Sequence, residues 1–426
     1  MQKFKLYIAV ISLVTITANA QTSSVLFLNG NLHPGNGNEL SSAAIGIRDG
    51  KIVLLKNSLA FSYEKSEWDT IIDLKGKHVY PGFVAPNTTL GITEIDAVRA
   101  TRDFDEVGTF NPHIRSQIAY NVESEIISTV RTNGVLICQP TPRGGYISGT
   151  SSVMALDGWN WEDATVLEND GVHLNWPSNL QRNKEERDLK EKSEGYEDKK
   201  AELYAFFEAA MVYSKSKNVE QNDLRFEAMR ECFKGTKRVY FHANHLQQLQ
   251  DIIDFVSHFQ IAYPVIVGGY DSHLLTRKLK DAKIPVMLYR THSLPEREED
   301  PVDLPYSIAA KLQAEGVLFC IQNEGDMEAM NGRNIPFLAG TAKAYGLTEA
   351  QAIAAVSYNA CKIMGIEKMY GSIEVGKSAT LFVSDGNALD MRTNRVVTIL
   401  INGKFVSIEN RQTELYSKYS NKYKKK

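Results

Sequence analysis

From Val25 to Tyr80 the apolar residues come in short alternating runs separated by turn residues: VLFLNGNL, AAIGIRDGKIVLL and TIIDLKGKHVY. Period-two alternation bounded by Gly, Asn and Asp predicts strands, and Asp49-Gly50 has the composition of a hairpin turn. A second set lies near the other end, in Gly371 to Gly386 and Val396 to Ile408, with Asn402-Gly403 as its hairpin. Between the two sets strand-like runs alternate with helix-like stretches, the pattern of βαβ units and a parallel sheet. Asn121 to Val130 reads as a helix leading through Asn133-Gly134 into VLICQP, and RVYFHA as a strand that delivers His242 to its tip ahead of an amphipathic helix. Tyr263 to Leu288 reads as strand, helix and strand. Two β-rich ends around an α/β centre predict a small composite β-sandwich built from both termini. Three segments fall outside this alternation: Arg143 to Ala164 reads as a Gly- and Ser-rich loop, Arg182 to Lys200 as a charged, solvated helix or loop, and the lysine-rich tail from Lys418 as frayed.

At 426 residues, 43% of them hydrophobic, the chain can bury a large core, and a (β/α)8 barrel with an accessory unit fits this length. A net charge of -3 gives no electrostatic reason to expect nucleic acid or an anionic membrane as a partner. Lys3 and Lys5, the apolar run Leu6 to Ala18 and the small-x-small site Ala18-Asn19-Ala20 make residues 1–20 a secretory signal, so the expected location is periplasmic or extracellular. The run is too short for a membrane span, and no cysteine follows the cleavage site to take a lipid. Cys138, Cys232, Cys320 and Cys361 are far apart and imply no disulfide framework.

Val79 to Gly91, VYPGFVAPNTTLG, resembles the first barrel strand of the amidohydrolase superfamily, its imidazolonepropionase-like branch in particular. That family reads PG, two hydrophobic residues, then D-x-H-x-H-L-G. The segment Gly145 to Gly149, the stretch Arg333 to Leu347 and the run Gly371 to Ala379 carry further family-type matches, so the resemblance spans nearly the whole mature chain. It implies a (β/α)8 TIM-like barrel over residues 81–366 and a composite β-sandwich from 24–80 and 367–412, followed by a basic tail, 413–426. It also implies hydrolysis of carbon–nitrogen bonds of a small cyclic amide or a peptide-like substrate by metal-bound water, whose pKa a zinc ion lowers to about 7.

The five places that hold the family's ligands carry Asn87, Thr89, His242, Gly268 and Asn323. Asn323 stands where the family has its proton-shuttling Asp, and an amide accepts no proton near neutral pH. One imidazole with neutral oxygens is short of the three or four ligands that zinc takes, so the cofactor is either absent or a single divalent metal such as Zn held at His242. Glu94, Asp96, Glu324 and Asp326 offer a displaced carboxylate site, and His242 could act as a base without metal. Asn87, Thr89, His245, Gly268 and His273 are the candidate substrate contacts, while His33, His78, His113, His173, His258 and His292 read as surface or loop residues. Trp159 and Trp161 either stack on a ligand or pack against the barrel. Two functions remain open: a hydrolase with an altered metal site, or a non-catalytic member that binds a small ligand or forms a homo-oligomer or a heteromer with an intact homologue.

Overall fold

The computed structural model describes residues 24–182, 189–191, 195–216 and 222–424. The signal segment 1–20 lies outside these residues, as does much of the charged stretch Arg182 to Lys200. The chain opens with β1 (Val25–Leu32), β2 (Leu40–Arg48), β3 (Lys51–Asn57), β4 (Thr70–Asp73) and β5 (His78–Pro81). Next come β6 (Phe83–Thr88), β7 (Val135–Pro140), β8 (Ile147–Ala155) and β9 (Thr165–Asn175), then a small ribbon of β10 (Leu180–Arg182) and β11 (Leu189–Glu191). β12 (Arg238–Ala243), β13 (Pro264–Gly268), β14 (Val286–Leu288) and β15 (Phe319–Ile321) precede β16 (Leu381–Ser384), β17 (Val396–Ile401) and β18 (Lys404–Val406).

Both ends of the chain meet in one eight-stranded sheet, ordered β18-β17-β16-β5-β1-β2-β3 with β4 on β1. Alternation places Val25 and Phe27 of β1 in one core with Leu381 and Leu400, and Leu26 and Leu28 in another with Ala44 and Trp68. Both hairpins expected from the sequence form, with Asp49, Gly50, Asn402 and Gly403 all at positive φ. The two turns abut: a Cβ on Gly403 would lie 2.5 Å from the Gly50 Cα.

The second sheet is a nearly closed eight-stranded barrel, ordered β15-β14-β13-β12-β9-β8-β7-β6. Its interior is filled by Val84, Ile137, Tyr240, Val265, Val267 and Met287, and the helix Tyr358–Met364 closes the floor through Ala360, Cys361 and Ile363. Val239 and Phe241 point the other way, to the outer helices, so Tyr240 and His242 share the inner face of β12. The helix Leu246–Phe259 after β12 buries Leu249, Ile252, Phe255, Val256 and Phe259, the stripe that its sequence predicts. All four cysteines are buried and free. No helix of the described residues is long and apolar enough to cross a membrane.

Three expectations need correction. Much of Arg143 to Ala164 is not loop but β8, a nine-residue strand antiparallel to both β7 and β9, so the barrel is not uniformly parallel. Its Ser and Thr residues resemble loop composition because their hydroxyls are satisfied inside: Thr150 Oγ1 donates to the Pro112 carbonyl at 2.7 Å, and Ser151 Oγ to Asp170 Oδ1 at 2.6 Å. The tail is helical over Arg411–Lys424; Asn410 Oδ1 accepts from the Thr413 N–H at 2.9 Å, and Thr129 Oγ1 donates to Gln412 Oε1 at 3.0 Å. His33 and His173 are not surface residues: His33 is 4% exposed and stacked on Tyr80, and His173 is fully buried.

Candidate functional site

Barrel strands present their C-terminal tips at one mouth, where a side chain on the inner face meets whatever enters. His242 is such a side chain, on β12 between Asn175 of β9 and Val267 of β13. Its Nε2 lies 2.9 Å from His173 Nδ1, and His173 Nε2 lies 2.8 Å from Ser151 Oγ. Asp170 receives the Ser151 hydroxyl, the Tyr240 hydroxyl at 2.6 Å and the Gln139 amide at 2.8 Å. The proton assignment follows from the carboxylate outward. Ser151 donates to Asp170, so it accepts from His173 Nε2–H; His173 Nδ1 then carries a lone pair and accepts from His242 Nε2–H. His242 is left with its Nδ1 as an acceptor.

Burial lowers the pKa of His242 to about 4 and takes that of His173 well below the usual value; the second histidine and Arg143 lower His173 further. Glu324 opposes the shift of His242, and Arg143 adds to it. Both rings are therefore neutral at pH 7. Burial raises the Asp170 pKa, against its three donors and Arg238, which lower it.

Gln139 joins this chain to the first strand, accepting from the Asn87 N–H at 3.0 Å. Asn87 sits at positive φ at the tip of β6, fully buried. Arg143 Nη1 donates to Asn87 Oδ1 at 2.9 Å, and Nη2 to the Asn87 carbonyl at 3.1 Å and to Glu328 Oε1 at 2.9 Å. Asn87 Nδ2 donates to Glu324 Oε2 at 2.9 Å. Thr89 is buried beside it and hydrogen-bonds Glu328, whose pKa burial raises while Arg143 opposes. A cavity of about 490 Å³ opens next to this group, lined by Thr89, Arg143 and Glu328 together with Asp96, Arg102 and Asp326.

Gly268 ends β13 with φ +103, and a Cβ there would meet Asn244 Oδ1 at 2.4 Å. The place of a side chain at 268 is thus filled by the residue that follows β12. Asn323 Nδ2 donates to the Glu328 carbonyl at 2.8 Å, which fixes its orientation and leaves Oδ1 buried with no hydrogen-bond partner. The Asn244 Oδ1 is likewise buried and unpartnered.

Asn87, Thr89, His242, Gly268 and Asn323 therefore lie at strand tips of the mouth. His245 stands at the start of the next helix, its N–H donating to Gln248 Oε1 at 3.0 Å and its Nδ1 3.6 Å from Glu296 Oε2. His273 is in a 3-10 turn, Nδ1 3.1 Å from the Tyr270 carbonyl, with Lys311, Asp271 and Asp300 as its charged neighbours rather than the mouth group. Of the displaced carboxylates, Glu324 joins the group and Asp96 and Asp326 line the cavity, but Glu94 is held by Asn121 and Ser124 at 3.0 Å each. Trp159 is 91% exposed, and Trp161 packs on the core.

Arg143, Glu328, Ser151 and Asp170 were not singled out by sequence reasoning, and His173 was read as a surface or loop residue. The available signal was a polar side chain within an apolar run, as His173 is in GVHLN and Gln139 in VLICQP. A separate group stands where the first sheet meets the barrel: ligand atoms of His33, Glu39 and Glu349 lie within 4.8 Å of one another. His33 Nδ1 is 2.9 Å from Glu39 Oε1, while Glu349 accepts from Lys343 and Asn387 at 2.7 Å each.

No curated protein matches this sequence. Among solved structures, an amidohydrolase from Thermotoga maritima MSB8 is similar at 24% identity, with a TM-score of 0.77 over 90% of this chain and 99% of that one. A prolidase complexed with N-methylphosphonate-L-proline is similar at 15% identity and a TM-score of 0.54, over 90% of this chain and 100% of that one. A Xaa-Pro dipeptidase with bound methionine in the active site gives 13%, 0.55, 90% and 100% on the same measures. At these identities the likeness concerns the fold. The model of the amidohydrolase family matches residues 189–406, more than half of the sequence, and on that match the chain belongs to the amidohydrolase family.

Proposed function

We propose that this chain is an exported member of the imidazolonepropionase-like branch whose barrel mouth binds a small ligand without a zinc centre, alone or beside an intact homologue. One observation carries the reading: the Arg143 guanidinium already occupies Asn87 Oδ1 and pairs with Glu328 at the first-strand ligand position. The other positions support it. His242 Nε2 is engaged by His173, a side chain at 268 collides with Asn244, and Asn323 brings a neutral oxygen. That donor set does not fit zinc, which takes imidazoles, thiolates and carboxylates. The unpartnered Asn323 oxygen, the acceptor nitrogen of His242 and the Glu324 carboxylate suit a ligand that donates N–H groups.

A second reading keeps hydrolysis of a carbon–nitrogen bond in a small cyclic amide or dipeptide, with His242 as base. Its support is the neutral imidazole with a lone pair at the mouth, on a fold shared with a prolidase and a Xaa-Pro dipeptidase. The deciding experiment is metal content per chain after purification without chelator and exposure to zinc or manganese, with His242→Ala as control. Trace metal in both proteins, and no turnover of cyclic amides or dipeptides, is the expected result. Stoichiometric metal lost in the variant would overturn the proposal. Turnover without metal, abolished in the variant, selects the second reading. Export is checked by mass spectrometry of the secreted chain, which should begin at Gln21.

A further inference from the structure

A second concavity lies at the other end of the barrel, away from the mouth. It has a volume of about 660 Å³ and is walled by the N-terminal ends of β12, β13 and the segments entering β14 and β15, and by the turn after the helix Tyr358–Met364. Five cations surround it, Arg238, Lys280, Lys283, Lys362 and Lys368, with Glu367 as the single carboxylate. In a chain of net charge -3 this is a strong local excess. None of the four lysines is engaged in an ion pair or a side-chain hydrogen bond among the described residues. Arg238 is held in place, its Nε donating to the Ile363 carbonyl at 2.5 Å and its guanidinium lying 5.5 Å from the Tyr263 ring centroid. It packs so closely on the turn that a Cβ at Gly365 would lie 2.0 Å from Nη2. Glu367 Oε2 is buried there with no hydrogen-bond partner.

Like charges around a concave, partly apolar surface focus the positive potential inside it, and they repel one another until an anion enters. Lysines and an arginine are the groups that hold phosphate, the former as point charges and the latter through its planar fork. A carboxylate oxygen without a donor in the same cavity calls for a ligand hydroxyl. We propose that this floor cavity binds a phosphorylated small molecule that also carries hydroxyl groups, such as a nucleotide. Its phosphates lie among the lysines and Arg238, a hydroxyl donates to Glu367, and the half-exposed Tyr263 ring supports the remainder. The site is independent of whatever the mouth binds.

The test is calorimetric titration of the mature chain at low salt with ADP, with inorganic pyrophosphate and with adenosine. ADP is expected to bind more tightly than pyrophosphate, adenosine not at all, and added salt to weaken both anions. Lys280→Glu with Lys283→Glu should weaken both by about tenfold or more, and Glu367→Ala, which removes the acceptor, should reduce the preference for ADP over pyrophosphate. Lys362→Gln with Lys368→Gln is the second pair, read in the same way if the first fails to fold. No heat with either anion, unchanged binding in the folded charge variant, or adenosine binding as tightly as ADP would each overturn the assignment.

Discussion

Arg143 and Glu328 are mutually dependent at the barrel mouth. The Glu328 side chain is only 10% exposed, and its pKa is raised by burial, so removing the guanidinium strands a carboxylate without a counter-charge. Arg143→Ala should cost about 3–5 kcal/mol, as for a broken buried pair, and adding Glu328→Gln should recover part of that loss. Denaturant melts of the two single variants and the double variant measure the coupling; additive effects would dissociate the pair. The histidines give a pH signature. His242 titrates at about 4 in the folded chain against 6.5 as its ordinary value, so on acidification the unfolded chain takes the proton first. Stability contributed by the neutral ring is complete above 6.5, falls as pH drops through that window, and levels off below about 4. His173 adds to the same slope, and Glu328, with its raised pKa, opposes it near its own titration. His242→Gln should flatten the stability profile between those limits, which melting temperatures across the range will show. The sequence places His242, Asn87 and Asn323 at strand tips because each ends an apolar run. Arg143 stands on a loop far along the chain from Asn87, and no spacing rule joins an arginine to the backbone carbonyl that it must find in three dimensions.

At the scale of elements, periodicity located most strands and helices, and it failed where burial and composition part company. The nine residues of β8 are all buried, yet four of them are Ser or Thr and one is Gly, a composition that resembles a loop. A strand read from the alternation of polar and apolar residues is invisible when both faces are interior and the hydroxyls are satisfied there. The C-terminal helix illustrates the opposite case. It buries no residue, and its described hold on the barrel includes Gln412 against Thr129. Deleting residues 411–426 should therefore leave the melting temperature within about 2 °C of the intact chain, since little apolar area is re-exposed. A larger drop would show that the helix contributes to the core beyond that contact.

Across the whole molecule, mouth and floor divide the barrel into an end whose charges of both signs are paired and hydrogen-bonded and a cationic end, with a packed interior between them. The first sheet links the two halves of the sequence: β5 pairs with β16, so Tyr80 lies opposite Phe382, and the Ala379 N–H donates to the Gly50 carbonyl at 2.8 Å. Gly403→Ala should be destabilising by about 1–3 kcal/mol, because a methyl group cannot enter between the two turns and φ is +77. An unchanged denaturation midpoint would mean that the turns separate at no cost. The β5–β16 pairing also sets an order of events during synthesis. When the ribosome has made β1 to β5, the edge of β5 has no partner, and it must wait for about 300 further residues before β16 emerges to cover it. During that interval the nascent chain carries an open strand edge, the feature most prone to join a neighbouring chain. Fidelity of assembly therefore depends on the last part of the polypeptide to be made, and a chain shortened before β16 would release an adhesive intermediate rather than a smaller stable protein.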